Sequence, residues 1–222
     1  MNDLATALAA HHIDLPADQV ERLERFARLL WEWNEKLNLT RHTDFEKFVA
    51  RDVTDALAFG RFLEPNEHVL DVGTGGGLPG VILAVVRPDL KLWLSEPTGK
   101  KARAVADMIE KLDLPVPVIS ARAEHFLGTA QFNTLVIRAV ARMVELLTWF
   151  QPKWEHFDRL LLLKGPAWID ERGEARHRGL FHDLALRKLA SYPLPGTESE
   201  SVLLQICPKD RLDRDQCRLR TW

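Results

Sequence analysis

Two carboxylates and three glycines, close together in the sequence, are the residues best suited to hold a small molecule. Asp71 ends a short apolar run and is followed by Gly73, Gly75 and Gly77, and Glu96 follows the next apolar run. Glycines have no Cβ, so the backbone can turn tightly and approach a ligand closely. The pattern predicts a strand-to-helix turn with a ligand on it. The glycines alone leave the ligand open, because such turns bind phosphates, nicotinamide cofactors or nothing.

The spacing and charge of this turn favour S-adenosylmethionine over a nicotinamide cofactor. The dinucleotide fingerprint has its third glycine one position later, where this chain has Leu78. Asp71 would repel a pyrophosphate but would accommodate a cationic sulfonium and amino group. Glu96 ends the predicted second strand, where a carboxylate accepts hydrogen bonds from the ribose of either cofactor. A glycine turn that only packs tightly is the alternative.

Short apolar runs alternate with helical stretches around this turn. Strands are predicted at residues 69–72, 90–95, 116–120, 134–137 and 160–163, and helices at 81–86, 99–111 and 140–150. Such alternation predicts a mostly parallel, twisted, doubly wound sheet covered on both faces. Residues 185–192 and 201–207, separated by Pro195-Gly196, predict a closing antiparallel hairpin.

The remaining segments predict an N-terminal helical cap and one mobile loop. Residues 4–61 have helical periodicity, interrupted by a connector at 38–40, and Asp18 with Glu21 and Thr43 with Glu46 have the spacing of capping boxes. Residues 171–182 are charged and contain glycine, so we expect a mobile loop with a short helix. The length predicts one domain, residues 1–222, with the cap at 1–64 and a Rossmann-like core at 65–222.

The composition excludes several classes of protein. The net charge of -2 gives no chain-wide footprint for nucleic acid, so RNA contact would require a local basic patch. Two cysteines are too few for a disulfide framework, and the eight histidines lack metal-ligand spacing, so we expect no metal. Without a signal peptide or a membrane-length apolar run, the chain is expected to be soluble and cytoplasmic.

Five short motifs resemble the RsmG (GidB) family of bacterial methyltransferases. They are residues 71–80, Gly99-Lys100-Lys101, Ile137-Arg138-Ala139, Leu163-Lys164-Gly165, and Trp33-Asn34 with Asn38-Leu39-Thr40. The resemblance extends over about residues 31–207. It implies a Rossmann-like class I methyltransferase that uses S-adenosylmethionine to methylate N7 of a guanine in small-subunit ribosomal RNA. The implied partner is this RNA or a ribosomal particle, and we expect a monomer without membrane contact.

The resemblance also implies the site residues. Residues matching the cofactor site are Asp71, Gly73, Thr74, Gly75, Gly77, Leu78, Glu96, Ala123, Glu124 and Arg138. Arg138 is also the implied catalytic residue, and the implied RNA contacts are Arg51, Lys100, Arg103 and Lys164. Two positions depart from the family pattern: Asp52 follows Arg51 where the family has histidine, and Ile137 precedes Arg138 where the family has serine.

The implied reaction suits a chain without an obvious catalytic base. N7 of guanine has a free lone pair, so the enzyme mainly aligns the reactants and excludes water. Arg138 is expected to donate hydrogen bonds to guanine O6 or to a flanking phosphate. Its alternative is a structural ion pair with Asp71 or Glu145. The rival functions are a cofactor-binding paralogue with another substrate and a non-catalytic S-adenosylmethionine-binding regulator.

Overall fold

A computed structural model describes residues 3–194 and 198–212, and a seven-stranded sheet forms the centre of this part. The strands are β1 (His68–Val72), β2 (Lys91–Ser95), β3 (Val118–Ile119), β4 (Phe132–Arg138), β5 (Phe157–Lys164), β6 (Leu184–Pro193) and β7 (Glu200–Pro208). Their order in the sheet is β3-β2-β1-β4-β5-β7-β6. Strands β1 to β5 are parallel, whereas β7 is antiparallel to both β5 and β6. The predicted sheet and closing hairpin are confirmed, and Pro195-Gly196 lies outside the described residues.

The helices cover both faces of the sheet. They are α1 (Leu4–Ala10), α2 (Ala17–Leu37), α3 (Phe45–Lys47), a π-helix (Phe48–Val53), α4 (Thr54–Gly60), α5 (Gly80–Val86), α6 (Gly99–Lys111), α7 (Ala123–Phe126), α8 (Met143–Phe150) and α9 (Trp168–His177), with 3-10 turns at Gln151–His156 and Lys209–Arg211. The N-terminal helices pack on one face with α5 and α6, and α7 to α9 pack on the other. None of the described helices is long and apolar enough to cross a membrane.

Alternation along each central strand explains why two apolar layers form. Val69 points into the cluster beneath the N-terminal helices, and its neighbour Leu70 points into the cluster beneath α8. The same alternation separates Val136 from Leu135, and Leu161 from Leu160. Strands buried on both faces need apolar residues at nearly every position, which is the pattern that the sequence shows.

Two details of the N-terminal helices differ from prediction. Helix α2 begins at Ala17, and Pro16 before it makes no side-chain capping bond, so Asp18 and Glu21 form no capping box. Helix α3 is capped by Asp44 instead of Thr43, because the Asp44 carboxylate accepts a hydrogen bond from Lys47 N at 2.8 Å. Helices α3 and α4 are joined through the π-helix into one continuous helical segment.

The short helix predicted within residues 171–182 is confirmed as the end of α9, whereas the predicted loop is wrong for residues 171–177, which all belong to this helix. The Glu171 carboxylate accepts hydrogen bonds from Met143 N at 2.7 Å and from Lys164 Nζ at 2.8 Å. Ala175 is fully buried against α8 and the sheet. These contacts are made by residues distant in sequence, so the charged composition alone does not reveal them.

Candidate functional site

A cavity of about 740 Å³ opens where the strand order reverses, at the carboxyl ends of β1 and β4. This switch point is where open α/β sheets bind their ligands, because the loops after the two strands run in opposite directions and leave a crevice. The cavity is lined by residues 38–42, Asp52, Gly73, Thr74, Gly75, Gly76, Leu78, Glu96, Pro97, Lys101 and residues 138–140.

The glycine turn and Glu96 form one wall of this cavity. Gly73, Gly75 and Gly77 have φ angles of +66°, +59° and +90°, a region that residues with a Cβ rarely adopt. The Glu96 carboxylate accepts hydrogen bonds from Gly75 N at 3.0 Å and from Thr98 N at 2.8 Å. The glycine turn and Glu96, which the sequence predicts to hold one ligand, therefore lie together and both line the cavity.

Asp71 lies beneath the turn and does not line the cavity. Its Oδ2 accepts hydrogen bonds from Thr74 Oγ1 at 2.6 Å and from Gly80 N at 2.8 Å. Burial raises the pKa of Asp71 to about 6. A Cβ at Gly80 would lie 2.6 Å from this Oδ2, so only glycine allows the start of α5 to approach so closely. Asp71 is therefore placed to shape the turn, and its expected contact with a bound cofactor stays a prediction.

Three other expected cofactor residues lie outside the cavity wall. A Cβ at Gly77 would meet Val81 below the turn at 2.7 Å. Ala123 is buried, and Glu124 accepts a hydrogen bond from Arg122 Nε at 2.7 Å. None of these residues lines the 740 Å³ cavity, so a contact with a bound cofactor stays a prediction for them.

Residues 38–42 form the opposite wall. Sequence reasoning identified residues 38–40 as a connector and as part of a motif of the resembled family, but not as a wall of the site. The Asn34 side chain holds this segment: its Oδ1 accepts hydrogen bonds from Leu39 N at 2.6 Å and from Thr40 N at 2.8 Å. The indole of Trp31 donates to His42 O at 2.7 Å. The available signal for an anchored loop was Asn34, three residues before α2 ends at Leu37, because asparagine side chains bond to nearby backbone N–H groups.

Arg138 lies between two buried aspartates. Its Nη1 is 2.7 Å from Asp52 Oδ1, and its Nε is 2.8 Å from Asp55 Oδ2. The Tyr192 hydroxyl donates a hydrogen bond to Asp55 Oδ1 at 2.6 Å, and His42 Nδ1 lies 2.9 Å from Asp52 Oδ2. Burial raises the pKa of Asp55. The ion pair considered for Arg138 therefore exists, but its partners are Asp52 and Asp55 instead of Asp71 and Glu145.

Sequence reasoning missed Asp55, His42 and Tyr192 as members of this network. The spacing of Asp52 and Asp55, one helical turn apart in an apolar helix, was a usable signal. His42 and Tyr192 gave none, because their partners are distant along the chain. Asp52 lies in the π-helix, and π turns within α-helices are frequent at functional sites.

A second cavity, of about 500 Å³, shares residues 138–140 with the first. Arg51 and Lys164 both line it. The Lys164 ammonium donates to Ala141 O at 2.6 Å and to Glu171, so its charge is already neutralised within the protein. Ala139, in the shared wall, has a φ of +55°, and such strain in a non-glycine residue is concentrated at functional sites.

The other expected RNA contacts lie at the start of α6. Lys100 and Arg103 are exposed, and neither lines the cavities described above. Lys101, from the Gly99-Lys100-Lys101 motif, lines the first cavity. Of the three basic residues at the start of α6, Lys101 lines the cavity and Lys100 and Arg103 are exposed nearby along the same helix.

Comparison with known proteins identifies the family. The family model described as rRNA small subunit methyltransferase G (GidB) matches residues 19–193. The chain belongs to this family. A relative named ribosomal RNA small subunit methyltransferase G from Rhodopirellula baltica is 44% identical over 198 residues, 89% of this chain and 86% of the relative. A Nitrosococcus oceani member with the same name is 30% identical over 209 residues, 94% of this chain and 95% of that protein.

Solved structures confirm the fold predicted for this family member. A precorrin-6y C5,15-methyltransferase from Geobacter metallireducens matches with a TM-score of 0.54 and 14% identity, over 78% of this chain and 95% of that one. M. capricolum TrmK, solved with S-adenosyl-homocysteine, matches with a TM-score of 0.54 and 13% identity, over 69% and 67%. The Rossmann-like methyltransferase architecture of the chain is therefore established.

Proposed function

We propose that this chain transfers a methyl group from S-adenosylmethionine to N7 of a guanine in small-subunit ribosomal RNA. The observation that carries the proposal is the switch-point cavity, which is lined by the glycine turn, Glu96 and Arg138. Membership of the rRNA small subunit methyltransferase G family supports the same reaction. The two rival functions, a paralogue with another substrate and a non-catalytic regulator, predict different outcomes in the experiment below.

The residues present fit the cofactor. Space above Gly75 is open, because the nearest atom to a Cβ built there is Gly73 O at 4.0 Å. Glu96 offers a buried carboxylate for ribose hydroxyls, and the volume of about 740 Å³ is within the range of cofactor sites. Gly73, Thr74, Gly75, Leu78 and Glu96 would hold the molecule. When bound, S-adenosylmethionine supplies an electrophilic methyl group.

The chain's own residues have to orient the base and exclude water. A guanidinium has five N–H donors in a rigid fork, so Arg138 can keep its aspartate contacts and also donate to O6 of a guanine or to a phosphate. The anchored segment 38–42 closes the cavity from the opposite side. Because N7 attacks with a free lone pair, no residue needs to remove a proton first.

The RNA backbone would contact basic residues around the cavity. Lys100 and Arg103 are exposed at the start of α6, and Arg51 lines the second cavity. Such contacts position the RNA without reading its sequence, so their removal weakens binding and its salt dependence together. We propose that the chain acts as a monomer in the cytoplasm, on ribosomal RNA or a ribosomal particle, without a metal.

The decisive experiment supplies small ribosomal subunits from a strain that lacks this gene with labelled S-adenosylmethionine. We expect one methyl group per subunit, mapped to N7 of a single guanine. Label on another base or another RNA would identify a paralogue with a shifted substrate. Cofactor binding in calorimetry without any label transfer would identify a regulator and would overturn the catalytic proposal.

Substitution of Glu96 by glutamine is expected to weaken S-adenosylmethionine binding about 10- to 100-fold, because hydrogen bonds to a charged acceptor are worth about 1.5–3 kcal/mol. One amide oxygen cannot replace both carboxylate oxygens that now serve Gly75 N and Thr98 N. Isothermal titration calorimetry measures the change. Glu110→Gln, an exposed carboxylate on α6, is the control and should bind as wild type. Equal affinity of the Glu96 variant would remove Glu96 from the cofactor site.

A further inference from the structure

His42 is an imidazole in the cavity wall that the reaction described above does not use. Its Nδ1 lies 2.9 Å from Asp52 Oδ2, and the other oxygen of Asp52 lies 2.7 Å from Arg138 Nη1. The Asp52 side chain is 1% exposed, whereas that of His42 is 25% exposed. Where the resemblance to the family leads one to expect a histidine, this chain has Asp52, and the structure brings an imidazole to it from position 42.

The contact with Asp52 assigns roles to the two ring nitrogens of His42. A carboxylate only accepts hydrogen bonds, so the proton of the neutral imidazole resides on Nδ1. Nε2 is then the acceptor, and among the described residues no protein partner is found for it. The ring is held in place from its backbone as well, since His42 O accepts from Trp31 Nε1 at 2.7 Å and His42 N donates to Thr40 Oγ1 at 3.0 Å.

Asp52 therefore joins a donor and an acceptor that both line the same cavity. Arg138 presents guanidinium N–H groups, and His42 presents a neutral Nε2. Guanine has a matching pair of adjacent groups, the acceptor O6 and the donor N1–H. Adenine has the opposite order there, a donor at N6 and an acceptor at N1. The pair Arg138–His42 is complementary to guanine and mismatched to adenine.

We propose that His42 is a substrate-binding residue that accepts a hydrogen bond from N1–H of the target guanine and, with Arg138, selects guanine over adenine. The inference rests on the proposed function, since it names how that site recognises its base. N7 gives its lone pair to the methyl carbon, the electron pair of the broken carbon–sulfur bond stays with sulfur, and the positive charge passes to the purine. N1–H becomes a stronger donor as this charge develops, so the bond to His42 strengthens in the transition state.

Charged groups surround His42 in the cavity, and substitution of His42 does not remove them. The charged groups that line the cavity with His42 are Asp52 from the π-helix, Glu96 after β2, Lys101 on α6 and Arg138 on β4, and the adjacent Arg41 also lines it. All of these groups remain in the His42 variants. An effect that is confined to those variants therefore reports on the imidazole itself.

The first test compares methyl transfer by His42→Phe, His42→Gln and wild type. We expect kcat/KM to fall about 10- to 100-fold in His42→Phe, because a ring N–H of the base loses its acceptor. His42→Gln should recover part of the rate, because its amide oxygen can accept the same hydrogen bond. The affinity of both His42 variants for S-adenosylmethionine, measured by calorimetry, should stay within about twofold of the wild-type value. His182→Gln is the control, since His182 also contacts an aspartate, Asp183 at 2.8 Å, but is exposed outside the cavity. Wild-type rates in His42→Phe would overturn the proposal.

The second test does not depend on methyl transfer. The NMR resonance of His42 Cε1–H is assigned by its absence from the spectrum of His42→Gln. It is then followed in the protein loaded with S-adenosylhomocysteine while a mononucleotide is added. Guanosine and inosine monophosphates, which both have N1–H, should shift it, and adenosine monophosphate and the resonance of His182 should show no shift. An equal shift with adenosine monophosphate, or no shift with any nucleotide, overturns the proposal. If the wild-type protein shows these shifts with guanosine and inosine monophosphates but transfers no methyl group to ribosomal RNA, only the proposed function is refuted.

Discussion

Replacing Arg138 by methionine is expected to lower the free energy of unfolding by about 3–5 kcal/mol at neutral pH and to abolish methyl transfer. The loss of stability follows from the two carboxylates that Arg138 neutralises. Asp52 and Asp55 are both fully buried, so the variant leaves two anions in the interior without their cation. Chemical denaturation measures the stability, and label transfer per folded molecule measures the activity. Unchanged stability would show that the two contacts contribute little.

A combined variant separates the structural role of Arg138 from its role in the reaction. Substituting Asp52 and Asp55 by asparagine together with Arg138→Met removes the whole charge cluster, and most of the lost stability should return. Methyl transfer should stay absent, because the donor facing the base is missing and His42 has lost the carboxylate that orients it. Recovery of activity together with stability would return Arg138 to a structural ion pair.

Arg159 is the matched control for the Arg138 variants. It is also buried, and its Nη2 lies 3.1 Å from Glu67 Oε1, outside both cavities. Arg159→Met should lose stability by a similar amount, yet each folded molecule should transfer methyl groups as wild type does. Comparing Arg159→Met with Arg138→Met therefore separates the loss of stability caused by any unpaired buried carboxylate from the loss of methyl transfer that is specific to Arg138.

The parts of the fold that are determined by residues close together in the sequence could be predicted. The helix predicted at residues 99–111 is α6 with the same limits, because a glycine start, a periodic apolar face and a turn at its end all lie within that segment. The glycine turn and Glu96 also follow local rules, since each stands at the end of an apolar strand. The position of α2 shows the limit: Pro16 fixes the helix start, and the carboxylate spacing at Asp18 does not.

The rest of the site could not be predicted, because its members are distant along the chain. Tyr192 and Asp55 are 137 positions apart, yet they share a hydrogen bond of 2.6 Å. Arg138 was identifiable only through resemblance to the family, and its partners belong to a helix in the N-terminal cap. Packing of that cap against the sheet determines which charges meet. The electrostatic balance of the site is therefore a property of tertiary structure.

Asp71→Asn is expected to stabilise the protein at pH 8 and to change how stability depends on pH. Burial raises the pKa of Asp71 from 3.8 to about 6. A folded state with a raised pKa binds the proton more tightly than the unfolded chain, so this group stabilises the fold fully below about pH 4 and loses that contribution as pH rises through 6. The expected loss in wild type is about 3 kcal/mol.

Asparagine keeps the hydrogen bonds that shape the turn while removing this titration. Its oxygen can accept from Thr74 Oγ1 and Gly80 N, as Asp71 Oδ2 does now. Its amide nitrogen would occupy the position of Oδ1, which has no hydrogen-bond partner among the described residues. Denaturation of both proteins between pH 4 and 8 should give curves that diverge as pH rises, with the exposed Asp14→Asn following wild type.

Cofactor titration of the same variant decides how Asp71 acts. If the carboxylate only holds the turn, as its burial outside the cavity wall indicates, Asp71→Asn should change S-adenosylmethionine affinity less than about tenfold. If the carboxylate contacts a positive charge of the cofactor, the loss should exceed that of Glu96→Gln and should grow at low ionic strength. Parallel denaturation curves for Asp71→Asn and wild type would instead show that Asp71 does not titrate near pH 6, and that the buried charge is stabilised by the turn.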